Sequence, residues 1–215
     1  MLDVFNIATP QGCDIQIFYG DGSASNTKSK STWIKPRGVS HVYMLLIGAG
    51  GNGNGTTGGG SGAVTVFYVA AQNIPDNASV WVGTQSTYVS VIAPSGSYFI
   101  QAPAASGSTG GVPSTSGGYL TASGFYQSVA GQNGAGGNLG ASGTTFLSGG
   151  TGAGATLTAN YGYEIVSSGS GFFMLQPIIV GIGGVSGSAQ RAGIGCGGSG
   201  NGGPGGPGFA LIASW

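Results

Sequence analysis

Short runs of β-branched and aromatic residues punctuate this chain at residues 4–7, 15–19, 32–34, 41–47, 63–70, 79–82, 88–93 and 97–102, and an apolar run closes it at 209–215. Such side chains suit the pleated, half-buried surface of a sheet, so each run predicts a strand. Pro94-Ser95-Gly96 is a turn signal, which makes residues 88–102 the clearest hairpin. No stretch carries a helical period, and the fold class expected is all-β. The terminal run, ending in Trp215, reads as a strand that closes a sheet. Between the first strands, residues 20–31 are polar and rich in Gly, Ser, Asn and Lys, the composition of a linker or loop.

Glycine changes this picture. There are 48 in 215 residues, and several recur at every third position: Gly131, Gly134, Gly137, Gly140 and Gly143, then Gly181, Gly184 and Gly187, then Gly197, Gly200, Gly203 and Gly206. Three residues per turn is the repeat of the polyproline II helix, which forms no internal hydrogen bonds. Glycine along one edge lets such helices come close enough for their N–H and C=O groups to bond sideways. The tracts are therefore expected to be polyglycine II-like and packed, with a flexible linker as the alternative. Collagen is excluded, because β segments interrupt the frame.

Charge removes further classes. Charged residues make up 5% of the chain and the formal net charge is zero, which leaves no electrostatic footprint for nucleic acid or an anionic membrane. A surface with so few ions is also easily buried in an assembly. Lys28, Lys30, Lys35 and Arg37 do cluster, and a solvated loop before a strand explains them more simply than an acidic partner. Met1 precedes no basic and apolar leader, and no apolar run is long enough for a membrane span, so synthesis in the cytoplasm and no membrane span are expected. In that setting Cys13 and Cys196 read as unbridged thiols.

The chemistry-bearing motifs are few. Gly48, Gly50 and Gly53 spell the dinucleotide fingerprint after a hydrophobic strand, but that motif needs a helix opening at the third glycine and an acid about 20 residues on. Here Thr56-Thr57-Gly58-Gly59-Gly60 follows, and the place of the acid holds Val69, Ala70 and Ala71. His41 is the single histidine, with no nameable acid or nucleophile to complete a triad. The cysteines, His41 and five acids lack the close spacings of metal sites. The expectation is no enzyme, no catalytic residue, no cofactor and no metal.

Trp33-Ile34-Lys35-Pro36-Arg37-Gly38-Val39-Ser40-His41-Val42, followed by Leu45-Leu46-Ile47-Gly48-Ala49-Gly50-Gly51, resembles the opening of the glycine-rich domains of bacteriophage tail fibres, spikes and related virion surface proteins. Gly202-Gly203-Pro204-Gly205-Gly206-Pro207-Gly208-Phe209-Ala210-Leu211-Ile212 with Trp215 resembles their closing strand. The resemblance implies a jelly-roll-like β-sandwich with glycine-rich loops in residues 32–215, behind N-terminal strands and a polar linker in residues 1–31 that act as an anchor. It also implies a non-enzymatic virion component, a spike or capsid- or tail-associated protein used in host attachment. The partners expected are other virion proteins, a host surface saccharide or protein, and copies of the chain itself in a trimer or pentamer. Neutral aromatic surfaces suit such receptors, and the candidate receptor-binding residues are Tyr119, Phe125, Tyr126, Tyr161 and Tyr163, with core packing as their alternative role. A glycine-rich ice-binding or other extracellular structural protein is the competing reading.

Overall fold

The computed structural model describes residues 14–20, 28–84, 89–92, 98–114, 124–134, 192–200 and 202–215. Nine strands build two antiparallel sheets: β1 (Asp14–Tyr19), β2 (Lys28–Ile34), β3 (His41–Ile47), β4 (Val64–Ala70), β5 (Asn77–Gly83), β6 (Val89–Ile92), β7 (Tyr98–Ala102), β8 (Gly124–Val129) and β9 (Phe209–Ser214). One sheet runs β1-β9-β3-β4-β8 and the other β2-β5-β6-β7. A single 3-10 turn at Ala71–Asn73 is the one helical element among the described residues, so they are all-β as expected.

The sheets face each other across one core, in which Met44, Leu46, Phe67 and Ile212 of the five-stranded sheet meet Trp33, Val80, Val91 and Ile100 of the other. Period-two side-chain alternation supplies that inner face. The two strands of the expected hairpin, β6 and β7, pair antiparallel, while its turn at residues 94–96 lies outside the described residues. The terminal strand does close a sheet: β9 lies between β1 and β3.

Two expectations need correction. β2 starts at Lys28, inside the stretch read as a linker, and Lys30 sits opposite Trp81 with its Nζ 5.8 Å from the ring centroid. An edge strand exposes one face and one edge to water, so Lys and Ser are tolerated there, and that composition hides the strand. β8 occupies a stretch for which the sequence predicts no strand. β1, from the stretch expected to act as an anchor, pairs with β9 along its whole length and so belongs to the same sheet as β3 and β4. Residues 4–7, the other half of that expectation, lie outside the described residues.

The clustered cations divide. Lys35 Nζ donates to the carbonyls of Ala71 and Ile74 at 3.0 and 2.8 Å and pairs with Asp76 Oδ1 at 2.9 Å, so it fastens the 3-10 turn beneath β2.

Candidate binding surfaces

Where β3 ends at Ile47 the chain leaves the sheet as a glycine tract, residues 48–53, turns at 54–57, and returns along 58–63 into β4. No helix follows Gly53. Gly48 and Gly51 donate to Ala63 and Gly60, both at 2.9 Å, while Gly50 and Gly53 donate to Gly206 and Gly203 at the same length. Residues 58–63 are held in turn on two further sides. Gly59 and Gly62 donate to Gly198 and Gly195 at 2.8 Å, and Gly60 and Ala63 donate to Gly107 and Pro103 at 2.8 and 2.9 Å. Gly131 and Gly134 extend the array through Gly111 and Ser108. Side chains complete it where the main chain cannot: Asn52 Oδ1 accepts from Gly205 N–H and Asn133 Oδ1 from Gly110 N–H.

Close approach explains the glycine. A methyl group on Gly53 would overlap the Ser199 carbonyl oxygen, and one on Gly206 would overlap that of Gly193. Of the period-three glycines, Gly131, Gly134, Gly197, Gly200, Gly203 and Gly206 fall in or beside this array, whereas Gly137 to Gly143 and Gly181 to Gly187 lie outside the described residues.

The tracts end in three turns on the side away from the sheets. Asn54 and Thr57 exchange N–H···O bonds of 2.9 Å across Gly55, and Ser106 and Thr109 exchange bonds of 2.9 and 3.0 Å across Gly107. The third turn closes with Gly203 N–H donating to Ser199 at 3.0 Å. Gly53 bonds to Gly203, and Gly60 to Gly107, so all three lie toward one end. That tip is made of Asn, Ser, Thr and Gly and carries no ionisable side chain among the described residues. Its chemistry is neutral hydrogen bonding.

A second surface is the outer face of the five-stranded sheet. Register aligns three rows across it: Tyr19-Phe209-Ile47-Val64-Val129, Ile17-Leu211-Leu45-Val66-Gln127 and Ile15-Ala213-Tyr43-Tyr68-Phe125. Gln127 is the single non-aromatic polar side chain among them. Ala192, Ile194 and Cys196 pack over part of this face, with the Cys196 side chain buried. Beyond the third row His41 stacks on Tyr68 at 5.4 Å between ring centroids, and Trp215 lies 6.2 Å from His41 and 5.9 Å from Tyr68. His41 Nδ1 also meets Ser40 Oγ at 2.9 Å, so its observed partners are structural.

Of the aromatic candidates, Phe125 and Tyr126 are described, and both sit on β8, not on a loop. They face opposite ways. Phe125 is 37% exposed on the outer face, whereas Tyr126 packs on the core, edge-on to Phe67, with its hydroxyl donating to Ser114 O at 2.8 Å. Tyr119, Tyr161 and Tyr163 lie outside the described residues. The tip was missed because its residues look like ordinary loop composition, and only the pairing of distant tracts brings them together. No group of three His, Cys, Asp or Glu side chains capable of holding a metal occurs among the described residues.

Burial raises the Tyr43 phenol from 10.0 to about 12. The unfolded chain therefore loses this proton at lower pH than the folded one. Stability is fully present below pH 10 and falls as the pH climbs toward 12, by roughly 2–3 kcal/mol for a shift of this size. Denaturation midpoints measured across that window should fall for the native chain and fall less for Tyr43→Phe.

No known protein-family pattern matches the chain, and comparison with curated proteins finds no relative. No helix among the described residues is long and apolar enough to cross a membrane.

Proposed function

We propose that this protein is a non-enzymatic bacteriophage virion component, a spike or a capsid- or tail-associated protein that presents its glycine-tract tip to the host surface. The observation that carries the reading is the array of laterally bonded tracts built out from one end of a two-sheet base. Donors three residues apart on one tract meet acceptors three apart on the next, as for Gly48 and Gly51 against Ala63 and Gly60, which suits polyglycine II-like packing. A tract so bonded satisfies its own backbone and projects without needing a hydrophobic core. In the base, the first and last of the described strands are neighbours, as a jelly-roll-like sandwich requires, although β5, β6 and β7 follow one another as a meander.

Rigid support for short polar turns is the arrangement by which loops recognise partners. The neutral tip fits an uncharged host saccharide or a polar protein surface, through hydrogen bonds that no ion has to be desolvated to make. Other virion proteins and further copies of the chain are the partners that would carry it on a particle.

Antibody against the purified chain should label intact phage particles, and the soluble chain should compete with particles for host cells. Asn54→Ala with Thr109→Ala should weaken that competition while leaving the melting temperature nearly unchanged. Failure of labelling together with failure of competition would overturn the proposal, and thermal hysteresis in the same preparation would favour ice binding instead.

A further inference from the structure

The edge strand β1 inverts the usual solvent pattern. Ile15, Ile17 and Tyr19 are 40%, 41% and 54% exposed, whereas Asp14, Gln16 and Phe18 between them are partly buried. Among the described residues, no strand pairs with the edge of β1 opposite β9. The phase of that ladder follows from Gly20, whose N–H donates to Gly208 O. Antiparallel strands alternate bonded and non-bonded pairs, so Phe18, Gln16 and Asp14 bond to β9 while Ile15, Ile17 and Tyr19 turn their N–H and C=O groups to the free edge. Reciprocal bonds between His41 and Trp215 give β9 the matching phase on its β3 side.

Natural edge strands are blunted by Lys, Pro, bulges or inward-pointing charge. β1 carries no Lys or Pro and its outward side chains are apolar; its one charge, Asp14, lies on the inner face at the very end of the strand, where it accepts from Gln16 Nε2 at 2.6 Å. We propose that β1 pairs antiparallel with β1 of a second copy about a two-fold axis at Ile17, joining two five-stranded sheets into one continuous sheet.

The register is determined by two separate requirements. Residues directly opposite must share a face, and both must have outward-turned backbone groups. Centring on Ile17 sets Ile15 against Tyr19 of the second copy, Ile17 against its own counterpart, and Tyr19 against Ile15. Every outward N–H and C=O of the three residues is then used, and their side chains form one apolar stripe. A one-residue slip would set apolar side chains against Gln16 and Phe18 on the other face. Centring on Gln16 or on Phe18 would set Tyr19 against position 13 or Ile15 against position 21, both outside β1, so only the Ile17 register pairs all three outward residues within the strand. In the Ile17 register Asp14 falls opposite Gly20 of the second copy, so no like charges meet. This pairing rests on β1 alone and does not depend on the virion reading. It also replaces the trimer or pentamer expected from the sequence with a two-fold contact.

The test uses the full chain. Light scattering coupled to size exclusion should give the wild type twice its 20.8 kDa at micromolar concentration. Ile17→Lys places two like charges on the axis without entering the core, and it should return the mass to that of one chain with an unchanged melting temperature. Ile15→Lys gives the same result should Ile17→Lys fold poorly. Ile17→Cys in a Cys13→Ser background should form a disulfide-linked pair on mild oxidation, because bonded antiparallel pairs hold their Cα atoms about 5.5 Å apart. A monomeric or trimeric wild type overturns the proposal. A dimer that survives both lysine variants, or that does not crosslink through position 17, also overturns it.

Discussion

Gly206→Val is expected to cost about 3 kcal/mol, at the upper end of what overpacking a close-packed site costs. The reason is the neighbour it meets. A side chain at Gly206 points into the Gly193 carbonyl, with the Ala192 carbonyl close behind, and neither can swing away as a flexible side chain could. Moving either would also disturb the bonds from Gly206 N–H to Cys196 and from Gly50 N–H to Gly206, both 2.9 Å. For a chain of this size, that loss corresponds to a fall of roughly 6–12 °C in melting temperature. Gly53→Val should behave alike, because its new side chain points into the Ser199 carbonyl. Thr56→Val, on the exposed turn at the end of the same tract, is the control and should stay within about 0.5 kcal/mol of the native chain. Equal melting temperatures for all three variants would mean that the tracts are not packed.

The second large effect lies between the sheets. Trp33, 1% exposed on β2, fills the core opposite the five-stranded sheet, and Trp33→Ala should cost about 3–5 kcal/mol in lost burial and residual cavity. Trp33→Phe should cost far less. The indole Nε1 is buried with no hydrogen-bond partner among the described residues, and a buried unsatisfied donor carries a penalty of about 1–3 kcal/mol. Phenylalanine gives up volume but removes that donor, so the two changes offset each other. Urea denaturation should show a large fall in midpoint for the alanine variant and a small one for phenylalanine, with similar slopes. A phenylalanine variant as unstable as the alanine variant would show that the indole N–H is satisfied in the native protein.

Several parts of this fold were legible in the amino-acid sequence, and they share one cause. β3, β4, β6, β7 and β9 are buried on at least one face, so burial itself selects the contiguous β-branched and aromatic residues that mark them. The all-β class and the closing role of the terminal strand follow from those residues. β2 and β8 lie at sheet edges, as β1 and β7 do, but there Lys30 lies over Trp81 and Gly124 abuts the Tyr68 carbonyl, and such polar or side-chain-free positions look locally like loop. Phe125 and Tyr126 show the same limit at the level of a site. Neighbours in sequence, they point to opposite faces of one strand, and only the sheet decides which of them meets solvent.

The glycine tracts divide along the same line. Their abundance, their near absence of charge and the capacity to pack sideways are written in the chain itself. Which tract meets which is not, because 48–53 finds 203–206 and 58–63 finds 195–198 more than a hundred residues away. Nor does packing require an unbroken period of three: Gly48, Gly50, Gly51 and Gly53 carry none, yet their donors fall into two sets, each three residues apart and aimed at a different neighbour. Local sequence sets the conformations a glycine tract can adopt. The tertiary structure alone decides where a neighbouring backbone comes so close that no other residue fits, because that distance is a property of the pair of tracts and not of either one.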